Sequence, residues 1–194
     1  MLSISNPADS SAGIDERILS AAASCVRDYG IDRVTMAEIA RRARVSRPTI
    51  YRRWPDTQSV LAELLTRRVT SVLSDVAEEG KDRAAIVARV VAVAARLRDD
   101  DLITAMLHSA PEMAMVYIAE RLGTSQQILI DALAAELQTA QADGSVRAGN
   151  PRQLAAMVLL IVQSTIQSGQ IVESILPVDT LAEELAHTLN GYLR

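Results

Sequence analysis

The sequence predicts an all-α protein, and three observations support that prediction. Aromatic residues make up only 3% of the chain while hydrophobic residues reach 49%, so the core must be built from Ala, Leu, Ile, Val and Met. Strands favour β-branched and aromatic residues, whereas helices tolerate Ala and Leu best. Apolar residues recur at helical spacing, and no segment shows the alternation of a half-buried strand.

The first elements follow from polarity and apolar spacing. Residues 1–13 are polar and predict a disordered arm. From Ile14 to Tyr29 the apolar residues fall on one helical face, and Gly30 directly after them is a helix stop. Cys25 lies on that face and is expected to be a packed core thiol.

Two short helices follow, over about 35–43 and 46–53. Thr35 and Glu38 have the spacing of a capping box, in which side chains bind the free amides of the first helical turn. Ser46 is the expected N-cap of the second helix, and Trp54 and the residues after it end that helix.

The rest of the chain reads as longer helices with short breaks. Gly, Pro and Asp residues mark their ends. The first predicted helices cover about 57–78 and 81–97, and further helices begin at 99 and 111. A helix of roughly twenty residues then ends near 143. The last two predicted helices cover 151–169 and 178–193.

Charge is unevenly distributed along the chain, whose net charge is -4. The segment from Ile14 to Arg68 holds 11 Arg and 7 acidic residues, a net charge of +4. The remaining residues hold 9 basic and 17 acidic side chains, a net charge of -8. A basic segment joined to an acidic body indicates that one end of the chain meets an anionic partner.

Composition also argues against several classes of protein. The single cysteine, Cys25, excludes an intrachain disulfide and argues against a thiolate metal site. His108 and His187 are the only histidines, and no catalytic constellation surrounds them, so we expect neither an enzyme nor a cofactor. The first residues lack the features of a signal peptide, and the longest apolar run, Leu154 to Val162, is short of a membrane span. We therefore expect a soluble, cytoplasmic protein with no membrane partner.

The two short helices have the size and spacing of a helix-turn-helix, whose second helix enters the major groove of DNA. Arginine binds guanine edges with two hydrogen bonds and neutralises phosphate. The alternative is a helical hairpin with a purely structural role and a solvated charged surface. Six like charges without a compensating acid are costly on such a surface, so they argue against this alternative. Between Ile39 and Pro55 the sequence has no acid and these six arginines: Arg41, Arg42, Arg44, Arg47, Arg52 and Arg53.

The segment from Thr35 to Pro55, TMAEIARRARVSRPTIYRRWP, resembles the N-terminal signature of the TetR family of transcriptional regulators. The resemblance covers about residues 14–68. It implies about nine helices, an N-terminal three-helix DNA-binding domain, and a helical C-terminal domain that binds a small molecule and dimerises. After the polar arm of residues 1–13, we therefore expect a helix-turn-helix domain over 14–60 and an effector-binding and dimerisation domain over 61–194.

Carried over position by position, the resemblance implies that Arg47 and Thr49 face bases. The small core beneath them would be Ile39, Ala40, Val45 and Ile50, closed by Trp54. Two positions depart from the family pattern: Arg44 stands where Gly is frequent in the turn, and Thr57 stands where Lys is frequent. The complete expected DNA-binding set is Thr35, Arg44, Ser46, Arg47, Pro48, Thr49, Tyr51, Arg52, Arg53 and Thr57.

A ligand site is expected around a Met-rich stretch in the C-terminal half. Flexible Met side chains suit the wall of an apolar cavity, and a few polar groups would orient an apolar or amphipathic effector. The alternative is that this stretch is ordinary core packing around one histidine whose hydrogen bonds are made within the protein. The candidate residues are Met106, His108, Met113, Tyr117 and Arg121.

The last helices suggest a homodimer. The stretch from Leu154 to Ile166 is apolar nearly all round, and such a helix must be buried. Leu181, Leu185 and Leu189 recur every fourth residue, so the two helices could form a four-helix dimer interface or an intrachain core. A dimer would bind a pseudo-palindromic DNA operator.

Three functions follow from these patterns. The first is a DNA-binding repressor released by a small molecule. The second is an enzyme or carrier built on a helical bundle, which would need convergent ionisable residues that the sequence does not show. The third is a constitutive or partner-protein-gated DNA-binding protein without an effector.

Overall fold

The computed structural model describes the backbone of residues 7–109 and 123–194, and the side chains of 12–105 and 123–194. Within these ranges it has nine α-helices and no strand, which confirms the predicted all-α class and helix number. The helices are α1 (Pro7–Tyr29), α2 (Met36–Ala43), α3 (Arg47–Tyr51), α4 (Thr57–Asp75), α5 (Arg83–Arg98), α6 (Asp101–Ser109), α7 (Thr124–Ala142), α8 (Pro151–Ser168) and α9 (Val178–Leu193).

The described residues form two compact units. The first contains the chain up to Arg67, hence α1, α2, α3 and the start of α4, together with α6. The second contains residues 68–100 and the described residues from Gly123 on, hence the end of α4 with α5, α7, α8 and α9.

One apolar cluster holds the first unit together. Cys25 is fully buried in it, as predicted, and burial raises the pKa of its thiol. Gly30 directly follows α1 and has a φ of 75°, a positive value that glycine adopts without strain. Aliphatic side chains from α1 to α4 supply most of the cluster, and its largest fully buried members are Ile18, Val26, Ile39, Ile50, Val60 and Leu61.

The first helix is longer than the sequence predicted. It begins at Pro7 and not at Ile14, so residues 7–13 are helical where a disordered arm was expected. Proline suits the first turn of a helix because its missing N–H would have no partner there.

The second unit has a separate aliphatic core built by α5, α7, α8 and α9. Leu185 and Leu189 are buried in this intrachain core, whereas Leu181 is half-buried. Of the two alternatives for the leucines of α9, the intrachain core is therefore correct for Leu185 and Leu189. The chain end is fixed by Arg147, whose Nε donates to the carbonyl of Tyr192 at 2.8 Å and whose guanidinium lies 4.7 Å from the centre of that ring.

The apolar helix α8 is covered on only part of its circumference. Leu154, Ala155 and Val158 are buried, but Met157 and Leu160 are 43% and 60% exposed. The stretch Pro151–Val172 has a mean hydropathy of 1.4 and is, by length and composition alone, apolar enough to cross a membrane. Only 22% of its most apolar 18 residues are buried within the chain. A large apolar surface on this helix therefore lacks a covering element among the described residues.

Candidate nucleic-acid interface

Side-chain caps fix the start of α2. The amide of Glu38 donates to Thr35 Oγ1 at 3.2 Å, as the capping pattern predicted. The carboxylate of Glu38 does not complete the reciprocal half of the box; it accepts from Arg41 at 2.6 and 2.8 Å and from Arg42 at 3.0 Å. These hydrogen bonds hold the pKa of Glu38 down at about 2.

Arg42 joins α2 to α1. One of its guanidinium nitrogens donates to Ser24 Oγ at 2.7 Å and to Asp28 Oδ2 at 2.5 Å. The same guanidinium lies 4.7 Å from the centre of the Tyr29 ring. Arg53 likewise pairs with Asp15 of α1. Three of the six arginines, the third being Arg41, are thus balanced by acids outside the segment, which corrects the expectation of six uncompensated charges.

The turn between α2 and α3 keeps a left-handed residue without using glycine. Arg44 has φ 54° and ψ 44°, the one positive φ of a non-glycine residue in the part of the chain the structure describes. The amide of Val45 donates to the carbonyl of Ala40 at 3.0 Å, which closes the end of α2. Arg44 therefore takes the left-handed conformation that glycine would adopt more easily, and the turn tolerates the resulting strain.

Replacing Arg44 with Gly is expected to raise the free energy of unfolding by about 1 kcal/mol, because glycine removes the left-handed penalty. Urea unfolding followed by circular dichroism measures the change. Arg41→Gly in the exposed interior of α2 is the matched control and should destabilise by about 1 kcal/mol. A fall in stability of Arg44→Gly would contradict the idea that the turn is strained.

The recognition helix α3 begins with two linked hydroxyl groups. The amide of Thr49 donates to Ser46 Oγ at 3.2 Å, and the two side-chain oxygens are 2.7 Å apart. Ile50 is fully buried and anchors the helix to the core. Val45 and Trp54 pack against the same core at its edge, as predicted.

Several polar residues of this motif are open to solvent. Arg44, Arg47 and Arg52 are exposed, and their guanidinium groups have no hydrogen-bond or ion-pair partner among the described residues. Tyr51 is 53% exposed beside them. The remaining positions of the predicted DNA-binding set are exposed at Thr35, Ser46 and Pro48, and half-buried at Thr49, Arg53 and Thr57.

The start of α4 is capped by an acid. Asp56 Oδ1 accepts from the amide of Ser59 at 2.7 Å and from its hydroxyl at 2.8 Å. Both hydrogen bonds lower the pKa of Asp56. Thr57, the position where the family frequently has Lys, therefore lies at a helix start that already carries one negative charge.

The ligand residues predicted from the Met-rich stretch fall largely outside the described part of the chain. The backbone of Met106 and His108 lies in α6, but their side chains are not among those described. Met113, Tyr117 and Arg121 lie outside the described residues altogether.

A cavity in the second unit was missed by the sequence reasoning. It lies among α4, α5, α7 and α8, and its walls are aliphatic apart from Arg89 and Glu136. Arg89 is a charged residue in the middle of the otherwise apolar stretch AAIVARVVAVAA of α5, which is the pattern that could have identified it. A charged side chain on an apolar, buried stretch is costly unless it has a partner inside the fold, so such a residue indicates an internal polar contact.

A capped two-helix motif with three exposed arginines that lack partners among the described residues defines a helix-turn-helix DNA-binding protein. Residues 18–64 match the family model described as bacterial regulatory proteins, tetR family. The chain is 63% identical over 193 residues to an HTH-type transcriptional regulator of Mycobacterium bovis, and the match covers 100% of both chains. The protein belongs to the TetR family of transcriptional regulators, so it is a DNA-binding regulator and not an enzyme.

Two solved structures share its fold. The transcriptional repressor QsdR of R. erythropolis is 18% identical with a TM-score of 0.70, and the match covers 93% of this chain and 96% of that one. RolR in complex with resorcinol is 15% identical with a TM-score of 0.71, and the match covers 96% and 90%. These similarities confirm an N-terminal helix-turn-helix followed by a helical C-terminal part.

Proposed function

We propose that this regulator is a homodimeric repressor that acts in the cytoplasm and leaves a pseudo-palindromic operator when a small apolar or amphipathic molecule binds. The observation that carries the DNA-binding half is the exposure of Arg44, Arg47 and Arg52, which lack partners among the described side chains. Three unpaired arginines on one small motif supply the hydrogen-bond donors and positive charge that phosphates and guanine edges bind.

Within this proposal, Arg47 and Thr49 contact bases from the start of α3. Ser46 and Pro48 open that helix, and the other members of the set contact phosphates. Arg53 would have to exchange its carboxylate partner Asp15 for a phosphate. The proposed phosphate contacts are Thr35, Arg44, Tyr51, Arg52, Arg53 and Thr57.

The exposed face of α8 supports the homodimer. Exposed residues recur along it at Gln153, Met157, Leu160, Ser164 and Ser168, which is one stripe of the helix. Apolar side chains stand at the centre of this stripe and polar ones at its ends, as in the core and rim of an interface. A second copy of the chain that packs on the stripe would bury the apolar surface and space two recognition helices for two half-sites.

Release by a ligand requires that the ligand bind one arrangement of the dimer better than the other. If the arrangement that fits the ligand separates the recognition helices wrongly, operator affinity falls by the ratio of the two ligand affinities. The aliphatic cavity of the second unit supports this step, and RolR, a protein of the same fold, was solved with resorcinol bound.

Binding of the purified protein to the DNA upstream of its own gene tests the proposal. Fluorescence anisotropy across a salt series, with random DNA of equal length as the control, should show tighter binding to the upstream DNA. Two protomers per site are expected. Equal binding to both DNAs, or binding to neither, would overturn sequence-specific repression at that operator.

A further inference from the structure

Arg42 of α2 is enclosed by partners from two helices. Only 18% of its side chain is exposed, whereas the side chain of the neighbouring Arg41 is 69% exposed. Its Nε donates to Glu38 Oε1 at 3.0 Å, and one terminal nitrogen donates to Ser24 Oγ and Asp28 Oδ2 at 2.7 and 2.5 Å. Glu38 belongs to α2, and the other two partners belong to α1. Arg42 therefore ties the two helices together.

The charges around Arg42 are balanced. Two arginines, Arg41 and Arg42, stand against two carboxylates, those of Glu38 and Asp28. The guanidinium carbon of Arg42 also lies over the Tyr29 ring, 4.7 Å from its centre, in a cation–π contact. A neutral cluster adds little to the attraction for phosphates, which depends on positive charge. Arg42 is thus better suited to orient α2 than to attract DNA.

The recognition helix α3 depends on α2 for its orientation. It has five residues and is anchored to the core by Ile50. The amide of Val45 donates to the carbonyl of Ala40 at 3.0 Å, so the path of the chain into α3 follows from the end of α2. Arg42 lies in the last turn of α2, next to this connection. Contacts to base edges must be placed within about 0.5 Å, so a small shift of α2 is enough to weaken them.

We propose that Arg42 is a positioning residue for DNA recognition. By tying α2 to Asp28 of α1, it sets the orientation of the recognition helix and thereby the preference for operator DNA over other sequences, and it does so without touching DNA. Asp28 serves the same role, although its negative charge by itself opposes DNA binding. The inference rests on sequence-specific DNA binding and not on repression or on a ligand.

Replacing Asp28 with Asn separates positioning from electrostatics, because the two predict opposite results. Asn keeps the size of the side chain and removes one negative charge, so charge alone would tighten binding to every DNA. If Asp28 holds Arg42 in place, the ratio of operator affinity to random-DNA affinity falls by about three- to tenfold. Asp32→Asn is the matched control, since Asp32 is exposed in the same unit and has no ion pair among the described residues. It should leave the ratio unchanged.

Arg42→Lys is the second variant, because it keeps the positive charge. One ammonium group replaces three guanidinium nitrogens and does not hold Glu38 and the α1 partners at the same time. The affinity ratio should fall by about tenfold. The double variant Arg42→Lys with Asp28→Asn should lose little more than the larger single loss, since both changes break one contact. Arg41→Lys is the control, because Arg41 pairs with Glu38 inside α2.

Fluorescence anisotropy at one fixed salt concentration measures both affinities of the full-length protein. The operator is the sequence that the wild type selects from a pool of random DNA. A smaller folded fraction lowers the apparent affinity for both DNAs by the same factor, so the ratio distinguishes positioning from a loss of stability.

Two results overturn the proposal. The first is an unchanged ratio in both Asp28→Asn and Arg42→Lys. The second is an equal loss on operator and random DNA in folded Arg42→Lys, which would make Arg42 a phosphate contact. If the wild type selects no sequence at all, sequence-specific recognition itself fails, and that result differs from an unchanged ratio.

Discussion

Replacing Arg47 with Ala is expected to weaken operator binding by about 1–3 kcal/mol, roughly 5- to 150-fold, and to relax the preference at one base pair. Arg47 is the first residue of α3, where a recognition helix meets base edges. It is exposed, and within the described part of the chain it has no partner that would compete with a base. Alanine removes the bidentate donor and leaves the cap of α3 intact, because that cap belongs to Ser46.

Anisotropy titrations of wild type and variant against the operator, its single-base variants and random DNA measure this loss. Arg27→Ala is the matched control, since Arg27 is exposed near the end of α1 and has no proposed base contact. It should change affinity far less. An equal loss on operator and random DNA would make Arg47 a phosphate contact, and no loss would remove it from the interface.

The local geometry of the helix-turn-helix was predictable because its determinants are close in sequence. Thr35 and Ser46 each cap a helix by accepting a hydrogen bond from an amide three residues away. Gly30 ends α1 because it adopts a positive φ directly after the helix. Hydrophobic periodicity likewise placed Ile39 and Ile50 in the core. Such features depend on a few adjacent residues, so the sequence alone determines them.

The arginine pairing was not predictable, because its partners come from α1. Asp28 and Asp15 are 14 and 38 residues from Arg42 and Arg53, and only the packed fold brings them together. Counting charges within the motif therefore overstated its free positive charge. The structure sorts the six arginines into Arg41, Arg42 and Arg53, which pair with carboxylates, and Arg44, Arg47 and Arg52, which face solvent.

The second unit was harder to predict for a related reason. The leucine repeat of α9 suits an intrachain core and a dimer interface equally well, since both need one apolar stripe. The structure buries Leu185 and Leu189 within the chain and leaves the free stripe on α8. The cavity is formed by four helices that are distant in sequence, so the sequence alone did not show it, whereas the Met-rich stretch near residue 106 is visible in one segment.

Replacing Leu160 with Glu is expected to convert the protein from dimer to monomer. Leu160 is 60% exposed in the single chain, so the substitution leaves the intrachain core intact. In the proposed dimer, each copy would lose about 1.5–3 kcal/mol of apolar burial and would gain a carboxylate that must be desolvated. The dimer dissociation constant should rise by at least about two orders of magnitude, which corresponds to about 3 kcal/mol.

Sedimentation equilibrium measures the oligomeric state, and Gln138→Glu on the exposed side of α7 controls for the added charge. That control should remain dimeric. A dimer in Leu160→Glu would show that another surface joins the copies. If Leu160→Glu is a folded monomer, its operator affinity reports what the dimer contributes to DNA binding. The affinity should fall to that of a single half-site, because one protomer offers one recognition helix and loses the second linked contact.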